Sequence, residues 1–161
     1  MQTTTLLDVP AELGLQMIKA RAVERSLPFE DRPDGVVLHL PLGQIHAYEE
    51  KGGLRLTLDA SDHIKLHLLQ EAVDHRLDET AIALDRRWSV TATGIAPPNL
   101  TFATVELCER IYPSYYRVRL SAESVERFSR DGLHFRLLFP PESHIGQWPF
   151  VSESGRLEFP G

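Results

Sequence analysis

Apolar and polar residues alternate along much of this chain, and a helical spacing interrupts the alternation twice. Residues 3–9 alternate weakly and predict a short edge strand. Pro10 suits the first turn of a helix, where its missing N–H would be unpaired anyway. Leu13, Met17, Ala20 and Val23 then recur as one apolar stripe to about Arg25. A connector with Pro28, Pro33 and the turn pair Asp34-Gly35 leads to three strands. Their inward sets are Val36, Leu38 and Leu40, then Ile45 and Ala47, then Leu54, Leu56 and Leu58. Pro41-Leu42-Gly43 turns the chain between the first two, and 49–53 form a polar hairpin tip. Ser61 or Asp62 caps a helix to about Glu79 with Leu66, Leu69, Val73 and Leu77 as its buried stripe. Helix, three strands, helix predicts an α+β fold, a two-layer sandwich with both helices on one face of an antiparallel sheet.

The second half is richer in strands. Gly94 and the pair Pro97-Pro98 break any regular pattern, so the expected division is a domain over 1–85, a linker over 86–99 and a second domain over 100–161. Trp88 suits either an anchor for that linker or the core of the first domain. Alternation resumes with Ala103, Val105 and Leu107, and again with Tyr116, Val118 and Leu120, with Arg117 and Arg119 on the opposite face. A short helical turn around Phe128 precedes a strand over 133–139, where Leu133, Phe135, Leu137 and Phe139 face inward and His134 and Arg136 outward. Pro140-Pro141 closes that run, and 155–159 predict one last strand.

The order "YYRVRLSAESVERFSRDGLHFRLLFPP" resembles the start of the FAD-binding barrel of siderophore-interacting proteins, the ferric-siderophore reductases. The resemblance covers 100–161 and implies the first part of an antiparallel β-barrel that orients a flavin. In that family hydride passes from NAD(P)H to FAD, and single electrons then pass to a ferric siderophore. On this resemblance His134 and Arg136 are the flavin-binding residues; the alternative for both is outward strand charge beside Arg117 and Arg119. The family's Arg-x-Tyr-Ser/Thr-x-Arg fingerprint would follow "GRLEFPG" and does not occur here. The barrel is therefore expected to be truncated, and this chain by itself to lack the reductase activity. Strand edges left open in this way predict self-association.

The first half, over 6–81, resembles a small bacterial domain of unknown function that occurs alone or fused to siderophore-interacting proteins. The stretch that carries this is "PDGVVLHLPLGQIHAYEEKGGLRLTLDASD", with Pro41-Leu42-Gly43 where that family has a P-F-G-like turn. It implies no catalytic residues. The alternative reading of the whole chain is a non-enzymatic binding or interaction module with this α+β domain as its working part.

Composition narrows the choice. A net charge of −6 argues against nucleic acid or an anionic membrane surface as partner. A single cysteine, Cys108, and no apolar run of membrane-spanning length predict a cytoplasmic protein. His63, His67, Glu71 and His75 recur every fourth residue along the second helix. Each step of four advances roughly 40° around the helix, so the four diverge and read as a solvated face, not a metal centre. His39 and His46 read as exposed strand residues, with a groove for an iron chelate as the alternative.

Overall fold

The computed structural model describes residues 1–80, 86–89, 93–123, 125–126, 128, 135–139 and 146–159. Two compact units are present: Met1–Asn99 together with Trp148–Gly161, and Leu100–Gln147. No helix among the described residues is long and apolar enough to cross a membrane.

The first unit is α+β. Its elements are β1 (Gln2–Leu7), α1 (Ala11–Glu24), β2 (Phe29–Arg32), β3 (Gly35–Leu40), β4 (Gly43–Glu50), β5 (Gly53–Asp59) and α2 (His63–Asp78). The five strands form one antiparallel sheet in the order β1-β5-β4-β3-β2. Register explains its apolar face: Val36 and Leu38 stand opposite Ala47 and Ile45, which stand opposite Leu56 and Leu58. Leu7 lies opposite Leu54 at the sheet edge. Leu7, Val36, Leu38, Ala47, Leu54 and Leu56 bury together, with Ile45, Leu15 and Ile18 of α1 and Val73 and Leu77 of α2 packed on them. Asp62 caps α2 through its carboxylate, which accepts from the Lys65 amide at 2.8 Å.

The apolar stripe of α1 is not the expected one. Val23 is 68% exposed, and Leu13 and Met17 are exposed as well. The buried positions are Ala11, Gly14 and Ala22. The reason is close approach: a Cβ on Gly14 would come within 2.6 Å of Leu54 Cδ2, so the helix presents its small residues to β5. The connector also hides a strand, since β2 pairs with β3 and sets Phe29 opposite Leu38.

The first unit runs past the expected boundary at 85 to Asn99 and resumes at Trp148. Beyond α2 the chain returns along the free side of β1, where the Ser89 amide donates to Thr4 O at 2.8 Å and Thr3 Oγ1 donates to Ser89 O at 2.9 Å. The carboxy-terminal segment joins the same unit as a small hairpin, β8 (Phe150–Val151) and β9 (Leu157–Glu158). The Gly94 amide donates to Val151 O at 2.7 Å, and the Val151 amide donates to Ile95 O at 2.9 Å. The stretches read as linker and last barrel strand are thus part of the first unit. Partners this distant in sequence leave no periodic trace, so the alternation pattern could not reveal them.

The second unit contains β6 (Ala103–Tyr112) and β7 (Tyr115–Ala122), an antiparallel pair with register shifts at Glu106 and Ile111. One face carries Val105, Cys108, Tyr116, Val118 and Leu120; the other carries Leu107, Glu109, Arg117 and Arg119. Among the described residues β6 and β7 pair only with each other, and no closed barrel forms. The strand expected over 133–139 is not found in its described part, because 135–139 run as irregular, exposed chain; Leu133 and His134 lie outside the described residues.

Candidate functional site

Three groups of side chains were open to a functional reading, and the fold treats them differently. For the flavin pair, His134 lies outside the described residues, and Arg136 is exposed on irregular chain between Phe135 and Leu137, both exposed. Phe139, at the end of that stretch, is 76% exposed. Side chains so open to water enclose no isoalloxazine, and the described residues do not fit an assembled flavin site. Cys108 is also exposed, on the apolar face of the hairpin.

The second group lies on the sheet face away from the helices. His39 faces Glu30 across β3 and β2, with Nε2 3.1 Å from Oε1. Arg32 and then His39 hold the Glu30 carboxyl below its ordinary pKa by hydrogen bonding. His46 stacks obliquely on Tyr48 at 4.7 Å, and its Nε2 is 3.7 Å from Asp34 Oδ2. Both histidines are half-buried and paired with carboxylates, where sequence reading expected simple exposure. Beside them, a shallow cleft of about 240 Å³ is lined by His39, Leu40, Leu42, Gln44, Ser61 and Lys65, among others. Its turn residue Gly43 has φ +153°, and a Cβ there would collide with Asp59 O. Lys65 points its ammonium at Ser61 Oγ, 3.1 Å away.

The third group surrounds α2. Asp74 is buried, and Arg86 donates from Nε to its Oδ1 at 2.5 Å while Trp88 Nε1 donates to the same oxygen at 3.1 Å. Arg86 also reaches Asp78 Oδ1 at 2.6 Å, and Arg156 reaches Asp78 Oδ2 at 2.7 Å. Burial works against the Arg86 charge, but its bonds to Asp78 and Asp74 outweigh that and raise its pKa. Hydrogen bonding from Arg86 holds the Asp78 carboxyl low. Trp88 is 3% exposed and packs with Leu58 and Leu69, which makes it a core residue of the first unit.

The same helix carries the row of histidines, and His67 departs from the expected solvated face. His67 is buried and Glu71 half-buried, while His63 and His75 are exposed. Among the described residues no three metal-capable side chains converge. Sequence reading missed Asp74 and Arg86; the available signal was an acid directly beside the apolar stripe of α2, with Arg86 two residues before a tryptophan.

No protein-family model, curated protein or solved structure matches the chain.

Proposed function

We propose that this chain is the amino-terminal portion of a siderophore-interacting, FAD-dependent ferric-siderophore reductase, with the α+β unit as an accessory domain. The supporting observation is the β6–β7 hairpin: one face holds Val105, Tyr116, Val118 and Leu120 open to water, with Arg110 opposite Tyr116, and the other holds Glu109, Arg117 and Arg119, as expected of barrel staves awaiting neighbours. On this reading the first unit is a two-layer sandwich and the hairpin the beginning of the barrel. The flavin would carry the electrons from NAD(P)H to a ferric siderophore. Because Arg136 is exposed on irregular chain, no transfer step is assigned to residues of this chain.

The test is a flavin titration of the purified protein, following FAD fluorescence and visible absorption. Saturable quenching with a bound-flavin band supports the proposal. A colourless protein that leaves FAD fluorescence unchanged at high protein concentration removes flavin binding from this chain. The reading then left is a binding module built on the first unit, which the cleft beside Lys65 and His39 favours.

A further inference from the structure

Three polar residues of α2 are buried: Asp74 is held by Arg86 and Trp88, Gln70 donates to Gly155 O, and His67 is the third. It is 8% exposed, and among the described residues its Nε2 is closed to water and has no hydrogen-bond partner. The nearest carboxylate is its own helix neighbour Glu71, whose Oε2 lies 3.7 Å away. That same oxygen accepts from Asn99 Nδ2 at 3.3 Å. Asn99 ends the stem that leaves the first unit, and the stem is tied to the returning chain by the paired backbone bonds of Gly94, Ile95 and Val151. A buried ring, a carboxylate and the outgoing stem therefore meet at one place on α2.

We propose that His67 makes the docking of the 93–99 stem on α2 sensitive to acid, so that a proton taken up by its ring favours the undocked form. In the docked form the ring is sealed and uncharged, because a proton on Nε2 would place a charge where water does not reach. Undocking lets the ring meet water and protonate near the ordinary histidine value of about 6.5. A proton that binds one state better than the other shifts the balance toward that state.

The charged groups around the ring set the direction. Burial lowers the His67 pKa, and this outweighs Glu71 and Asp74, which act to raise it. Asp74 is itself engaged by Arg86, from the chain packed across α2. Asn99, from the stem, is neutral, and His63 one turn earlier is exposed. Docking is therefore strongest above about pH 6.5 and weakens as pH falls toward the lowered value. One proton changes the opening equilibrium by at most about tenfold per pH unit.

NMR of the full-length chain tests this, following the Asn99 side-chain amide, which donates to Glu71 across the docked contact, between pH 7 and 5. The expected result is an opening constant that rises on acidification, at up to about tenfold per unit, and a flat response in His67→Gln. A His67→Gln protein with the original slope would overturn the proposal. If that variant does not fold, the imidazole is titrated by NMR in the unmodified protein. A ring that titrates below the ordinary range, together with release of the Asn99 amide, supports the proposal. A ring that titrates while the Asn99 amide stays bonded overturns it.

Discussion

Arg86 and Asp74 form an ion pair at 2.5 Å that is shut away from solvent, with side-chain exposures of 3% and 12%. The pair joins the chain after α2 to the middle of that helix, and Trp88 adds a donor to the same carboxylate. Removing one member of such a pair strands the other charge without water, typically at a cost of about 3–5 kcal/mol. Arg86→Ala should lower stability by that order in equilibrium urea unfolding. Replacing Arg86 and Asp74 together with methionine and leucine should cost less, since no buried charge is orphaned and only the Trp88 N–H loses its acceptor. Equal losses in the single and double variants would contradict this account.

A second prediction concerns the discontinuous first unit. Gly94 and Val151 are hydrogen-bonded neighbours, so the chain leaves and re-enters the unit at one place. Replacing 100–147 with a short Gly-Ser linker should leave a cooperatively folded protein with the circular dichroism of the first unit. Stopping the chain at Asn99 should be far more damaging. It deletes the Gly155 carbonyl that accepts from Gln70, the Ser154 carbonyl that accepts from Trp88, and Arg156. If both versions unfold at the same denaturant concentration, the carboxy-terminal hairpin has no part in the core.

Gly43 allows a third test. At φ +153°, with Asp59 O where a Cβ would stand, the turn from β3 to β4 has no room for a side chain. Gly43→Ala should cost on the order of 1–3 kcal/mol through backbone strain, measured as a shift in urea midpoint at unchanged m-value. Gly52, where an added Cβ would meet nothing within 4 Å, provides the comparison for a glycine at positive φ without the steric clash.

Acid should weaken the α2 network in its own pH window. The Asp78 pKa is lowered by its hydrogen bond from Arg86 and by the charges of Arg86 and Arg156. A carboxyl depressed on folding contributes stability above its unfolded value of about 3.9 and loses that contribution as pH falls through the lowered folded value. Asp78→Asn should therefore flatten the stability profile below about pH 4. It should leave the response between pH 5 and 6.5 unchanged, which distinguishes it from the proton on His67.

Local pattern was enough to reveal β3, β4 and β5, the Asp62 cap and the Leu69 side of α2, because alternation and capping are properties of neighbouring residues. The two strands of the hairpin were legible for the same reason. Position in space decided the rest. α1 offers two stripes of similar apolarity, and only the approach of Gly14 to Leu54 selects the one with Ala11 and Ala22. The recruitment of 148–161 to the first unit rests on Gln70, Trp88 and Asp78 meeting residues some 66 to 85 positions away. Asp74 looks like a surface residue of an amphipathic helix until Arg86 and Trp88 of the returning chain cover it. A sequence records which side chains can be buried; only the folded chain determines which of them are, because burial depends on what packs across from each residue.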